Sequence, residues 1–200
     1  MSEQEAGAEP GSRVVAETKA GQESKAKLLA RVVEHLAHHG LGDLSLRQIA
    51  AAVNTSHRML IYHFGSKEGL LVEVVRAVEA NQRALLSTLR ASDQAELARQ
   101  FWRALTDPAL RAHERLFFEL YGQAAQGRRG TTALLEGIVE SWLEPIAEME
   151  RARGYSPEQA RIRARLGLAV TRGLLLDLVA TDDVEAVTAA MDQFIDFMSS

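Results

Sequence analysis

Between residues 47 and 67 the chain sets Arg47, His57, Arg58, Tyr62, His63 and Lys67 close together. An arginine presents the paired donors that match the acceptor edge of guanine. Hydrogen-bonding aromatics beside a lysine at a helix start suit a phosphate, because the free N–H groups and the dipole of a helix N-terminus favour an anion. The chemistry on offer is contact with a polyanion. What matters next is whether the flanking sequence can hold these side chains in one orientation.

The surrounding stretch, "LSLRQIAAAVNTSHRMLIYHFGSKEGLL" at 44–71, is dense in helix signals. Ser45 and Gln48 have the spacing of a capping box, and Leu46, Ile49, Ala50 and Val53 repeat at helical intervals. Asn54 suits a left-handed turn position. Ser56 then caps a short helix ending near Phe64 and Gly65, and Ser66 caps a longer one beginning at Lys67. Two short capped helices joined by a tight turn have the layout of a helix-turn-helix, whose second helix points its first residues at base edges. The spacing turns His57, Arg58, Met59 and Ile61 outward and Leu60 and Phe64 inward, with Arg47 also outward on the preceding helix. The expected DNA-contacting set is Arg47, Ser56, His57, Arg58, Met59, Ile61, Tyr62, His63 and Lys67.

Charge is distributed to match. The net charge is −4, yet residues 19–71 carry seven Lys or Arg against four acids, and five of the six histidines lie there too. Residues 72–200 carry fifteen Arg against nineteen acids. A small basic head on an acidic body fits polyanion binding. Apolar residues at 46% and charged residues at 25% describe a globular chain, and the absence of cysteine removes disulfides and thiolate metal sites, which suits the cytoplasm. Residues 1–22 read as a flexible arm without the apolar core of a signal peptide. The apolar run 166–180 is shorter than the ~20 residues a membrane span needs, and it contains Arg172 and Asp177.

Helical spacing continues along the whole chain. A first helix is expected from a cap at Ser24 to Gly40, and further helices at 93–106, 109–126, 131–153, 157–181 and 183–198, separated by Gly, Pro and Asp signals. No strand-period segment or repeat appears, so the expected fold is all-α with about nine helices. The division reads as an arm at 1–22, a helix-turn-helix head at 23–70 and a larger body at 71–200. His35, His38 and His39 have spacing that metals can use, but they lie opposite the Leu29, Val32, Val33 and Leu36 stripe and read as a solvated face. No cofactor, metal or catalytic set is expected, since no phosphate-binding loop, zinc-protease or nucleophile motif occurs.

The segment from Leu60 through Tyr62, His63, Phe64, Ser66, Lys67, Glu68, Leu70 and Leu71 resembles the DNA-binding segment of the tetracycline-repressor (TetR) family, over residues 24 to 74. Asn54 stands where that family usually has Gly, and Ile61 where it usually has Tyr; Ile61 can instead meet a thymine methyl. The resemblance implies a homodimeric repressor on a palindromic operator, released when the C-terminal domain binds a small ligand. It also implies that the last two helices pair with their symmetry mates.

Residues alone leave two readings of those helices, subunit core or self-association surface. The candidate interface residues are Leu166, Val170, Gly173, Leu174, Leu178, Val187, Met191, Phe194, Ile195 and Met198. Large side chains concentrate in the middle of the body, where a largely apolar ligand would be lined by Phe101, Trp102, Leu105, His113, Phe117, Phe118, Tyr121, Trp142, Ile146 and Met149. Plain core packing would use the same aromatics. The alternative is a DNA-binding regulator with no small-molecule ligand, controlled by a protein partner or constitutive.

Overall fold

Three serines organise the N-terminal third of the computed structural model, which describes residues 10–127 and 132–199. Ser45 Oγ accepts from the Gln48 N–H while the Gln48 side chain accepts from the Ser45 N–H, so the capping box is closed. Ser56 Oγ accepts from Met59 N and Ser66 Oγ from Gly69 N. Each such cap stabilises its helix by about 1 kcal/mol, a large fraction of what a one- or two-turn helix can muster alone. Asn54 takes φ 53°, the left-handed value expected of the turn.

The described residues form nine α-helices and no strand. They are α1 (Pro10–His39), α2 (Leu46–Ala52), α3 (His57–Phe64), α4 (Lys67–Thr88), α5 (Gln94–Leu105), α6 (Arg111–Ala125), α7 (Glu140–Ala152), α8 (Pro157–Thr181) and α9 (Val184–Ser199). Single 3-10 turns at Pro108–Leu110 and Thr132–Leu135 precede α6 and α7.

Two boundaries differ from expectation. Helix α1 starts at Pro10, so Ser24 lies inside it and most of the segment read as a flexible arm is helical; residues 1–9 fall outside the described residues. No strong breaker separates Val14 from Ser24, and proline fits a first helical turn. Helix α7 starts at Glu140, not 131, because Gly137 adopts φ 72° and interrupts the path. No helix among the described residues is long and apolar enough to cross a membrane.

Packing divides into three apolar clusters. The first joins Leu28, Val32 and Leu36 of α1, Ile49 of α2, Leu60 and Phe64 of α3 and Leu70, Leu71, Val74 and Val78 of α4 with Leu116, Phe117 and Leu120 of α6. The second joins Trp102 and Leu105 of α5 with Leu175 and Leu178 of α8 and Val187, Met191 and Ile195 of α9. The third lies between α7 and α8, from Trp142 and Leu143 to Ala160, Ala164 and Leu168. Helix α6 therefore belongs to the head's core as much as to the body. Two polar contacts strengthen this: Glu119 Oε2 accepts from Leu41 N at 3.3 Å, and His113 Nε2 lies 3.4 Å from Glu34 Oε2. A head–body boundary at 70/71 falls within α4, between two leucines buried in that same core.

Leu120 is fully buried in the shared cluster. Leu120→Ala is expected to lower stability by about 2–5 kcal/mol through lost contacts and the cavity left behind. Because the cluster spans head and body, urea unfolding followed by circular dichroism should remain a single transition that moves as a whole. A separate, unshifted head transition would contradict the shared core.

Candidate nucleic-acid interface and body cavity

Helix α3 is amphipathic over its two turns. Leu60 and Phe64 are buried, while His57, Arg58, Met59, Ile61 and Tyr62 are exposed, Tyr62 at 77%. Arg47 is exposed on α2, and Ser56, also exposed, has its hydroxyl committed to the α3 cap. His63 and Lys67 are half-buried. The Tyr62 and His63 rings meet edge-on with centroids 4.9 Å apart, and His63 Nε2 is buried with no hydrogen-bond partner among the described residues. The predicted contact residues thus gather on and beside one helix face.

The joint between α3 and α4 is tight. Gly65 adopts φ 76°, and a Cβ built on Gly69 would lie 2.2 Å from the Phe64 carbonyl oxygen. Only glycine lets the first turn of α4 sit against the end of α3. In that turn the Glu68 carboxyl is held below the usual carboxylate range, first by its own main-chain N–H and then by the Ser66 hydroxyl.

A cavity of about 180 Å³ lies in the body between α4, α5, α7, α8 and α9. Phe101, Trp102, Leu105, Trp142, Ile146 and Met149 line it, as the sequence suggested. His113, Phe117, Phe118 and Tyr121 do not, because α6 turns that face elsewhere. Phe117 is buried in the head's cluster, Phe118 and Tyr121 pack on it, and His113 faces Glu34 of α1. Concentration of large side chains in α6 marked these residues without saying which neighbour each would meet. The cavity wall also includes residues the sequence reading did not place there: Gln82 and Leu86 of α4, Gln94 of α5, Glu150 of α7 with Arg153 just past its end, and Arg163, Leu168 and Arg172 of α8. For Glu150, Arg153, Arg163 and Arg172 the only sequence signal was a charge in or beside a helical stretch, and Gln82, Leu86, Gln94 and Leu168 carried none.

The expected interface residues separate into two groups. Leu178, Val187, Met191 and Ile195 are buried in the subunit's own core, the other of the two readings the sequence left open. Leu166 and Gly173 are exposed, and Val170, Leu174, Phe194 and Met198 are half-buried. Phe194 and Met198 also border the cavity.

His35 and His39 stack with centroids 4.3 Å apart, and the Nδ1 atoms of His38 and His39 lie 2.9 Å from main-chain carbonyls one turn earlier. Among the described residues no group of three or more His, Asp or Glu is arranged to hold a metal.

Comparison with known proteins agrees with the geometry of the head. The model of the family described as bacterial regulatory proteins, tetR family, matches residues 28–74. A transcriptional regulator from Rhodococcus sp. Rha1 superposes with a TM-score of 0.72 at 21% identity, covering 88% of this chain and 95% of that one. The multidrug binding protein EbrR, solved with imidazole, gives 0.66 at 22% identity over 88% and 89% of the two chains. A TetR variant from Acinetobacter baumannii AYE, solved with minocycline, gives 0.59 at 19% identity over 86% and 92%. At such identities the likeness is one of fold. No curated protein matches the sequence.

Behind the cavity, Glu114 of α6 is 3% exposed, with Oε1 accepting from Gln82 Nε2 at 2.6 Å and Oε2 unpartnered among the described residues. Burial pushes its carboxyl up to about 7, and the single bond from Gln82 only partly opposes this. The folded chain therefore keeps this proton where the unfolded chain loses it, so stability falls as pH rises from about 4.5 to about 7 and is flat above. The loss is expected to be about 3 kcal/mol at most. Glu114→Gln should remove this component, which is read by comparing denaturation midpoints of both proteins at pH 5 and pH 8.

Proposed function

We propose that this chain is a DNA-binding transcriptional regulator of the TetR family, acting as a homodimeric repressor released from a palindromic operator by a small, largely apolar ligand. The observation that carries the reading is the capped α2–α3 pair, whose exposed face holds Arg47, His57, Arg58 and Tyr62 together. Arg47 and Arg58 are the base-reading candidates, Met59 and Ile61 the apolar ones, and Tyr62, His63 and Lys67 hold phosphate beside the start of α4. The division of labour is a head at 23–70 that reads DNA and a body that binds ligand and the second subunit.

Exposed apolar residues on the last two helices support a twofold dimer. On α8, Ile162, Leu166 and Leu176 are 62%, 42% and 50% exposed, and Ala169, Gly173 and Ala180 fall on the same stripe. On α9, Phe197 is 72% exposed. Large apolar groups in line on neighbouring helices are costly in water and are the ordinary mark of an interface. A second copy covering them would set two α3 helices about 34–36 Å apart, in successive major grooves.

Release follows from α4. Its first half is locked into the head's core through Leu70, Leu71, Val74 and Val78, and its second half borders the cavity through Gln82 and Leu86. Lys67 and Leu86 are joined by about 28 Å of rigid helix. A ligand that prefers a wider cavity shifts the population toward heads wrongly spaced for DNA, and operator affinity falls by the same coupling. The ligand-bound relatives EbrR and TetR support a cavity that serves an effector.

Selection of bound duplexes from a random pool, at fixed salt, is expected to return a palindrome with half-sites one helical turn apart. Absence of any enriched sequence would refute specific binding. On the selected site, Arg47→Ala or Arg58→Ala should cost about 1–3 kcal/mol and relax preference at one position, while Lys67→Ala should weaken all sequences and flatten the salt dependence. Loss of preference in neither arginine variant would overturn the base-reading assignment. Paired Leu176→Glu and Phe197→Glu substitutions should yield monomers in sedimentation; a persistent dimer would place the interface elsewhere.

A further inference from the structure

The cavity's two ends differ in charge from its walls. At one end, Glu150 is 4% exposed and accepts from Arg163 Nε at 2.7 Å, Arg153 Nη1 at 3.2 Å and Gln94 Nε2 at 2.9 Å. Both guanidinium groups also donate to the Met198 carbonyl at the end of α9, and both lie over the Tyr155 ring. Among the described residues, two arginines therefore face one carboxylate, an excess of one positive charge. The carbonyl end of α9 offsets only about half a charge. Arg163 Nη1 has no acceptor among the described residues.

The other end is closed. Arg172 sits nine residues further along α8, about 13.5 Å away. It donates to Glu79 Oε1 at 2.7 Å and to the Ile138 carbonyl at 3.0 Å, with the rings of Phe117 and Tyr121 against its guanidinium. The rest of the lining is mostly apolar, with Leu168, Leu175, Phe101, Trp142 and Ile146, and includes Gln82 and Thr171 as polar groups.

We propose that the cavity takes a monoanionic amphiphile, an apolar body carrying one terminal carboxylate that binds at Arg163 and Arg153. The carboxylate supplies the single negative charge that the Glu150 end lacks, in the planar form a guanidinium edge matches. The apolar body replaces water along the wall between the two ends. A cationic ligand meets the two guanidinium groups at the Glu150 end, and Glu150, the one carboxylate lining the cavity among the described residues, is already fully engaged. Glu114 stands behind Gln82 and is not part of the wall.

This inference rests on the reading of the cavity as the effector site, and its test separates the two. Both tryptophans of the chain, Trp102 and Trp142, line the cavity, so intrinsic fluorescence reports its occupancy. The full chain is titrated at pH 8 with decanoate, decanol and decylamine, which share a body and differ in head charge. Decanoate is expected to bind at least tenfold tighter than decanol, with decylamine the weakest. Arg163→Gln should collapse the decanoate-to-decanol ratio toward unity, and Arg163→Lys should recover part of it; if Arg163→Gln does not fold, Arg153→Gln carries the same comparison. Equal binding of all three probes, tightest binding of the amine, or no fluorescence response to any of them overturns the proposal. Addition of decanoate to the chain bound on its selected duplex tests the underlying reading. Charge-selective binding without release of DNA leaves the anion site standing and removes its effector role.

Discussion

The ion pair of Glu79 with Arg172 ties together the three helices on which the body's shape turns. Glu79 is 3% exposed on α4, accepts from Arg172 of α8 and from Trp142 Nε1 of α7, and has Arg83 at 3.8 Å. Burial raises its carboxyl above the usual value, and the two arginines and the indole pull it back toward the charged form. Such a group tolerates little rearrangement. A buried carboxylate separated from one partner is left with an uncompensated charge, and that penalty is much larger than the net worth of the pair. The relative placement of α4, α7 and α8 is thereby specified by more than apolar contact, which would accept several nearby packings.

Around that fixed point the molecule divides into a closed side and an open side. On the closed side, α6 inserts Leu116, Phe117 and Leu120 into the core built by α1 to α4, and Glu119 and His113 hold the head from outside. On the open side, α5 and α9 meet α8 through a thinner cluster that leaves the cavity unfilled. Wall residues on the open side border empty space on one face, so local rearrangement there disturbs fewer contacts. Two helices, α4 and α6, run from the body into the head's core.

The helix-turn-helix was readable in the sequence because the caps and the turn that shape it are local. Ser45 with Gln48, Asn54, Ser56 and Ser66 act on residues within one turn of themselves, and the exposed and buried positions of α3 follow from helical period alone. The cavity was half-readable. Its aromatics on α5 and α7 were anticipated, but the wall draws on five helices, and period cannot say which neighbour a face meets. That is why the α6 aromatics, equally well spaced, turned out to be core. Helix α8 is the clearest case. Its apolar run implied burial on more than one side, and the structure has Leu175 and Leu178 inside the subunit with Leu166 and Leu176 outside, a distinction no one-dimensional pattern contains. The start of α1 failed for a different reason: a serine suited to a cap is equally at home inside an exposed helix, and nothing upstream of Ser24 stops the helix from continuing.

The missing side chain at Gly69 has a mechanical meaning. With the Phe64 carbonyl lying where a Cβ would be, the end of α3 and the start of α4 touch main chain to main chain, with no flexible group between them to absorb displacement. A joint of that kind has no play. A rotation of α4 about this joint is therefore expected to carry the end of α3 with it, as one lever and not two.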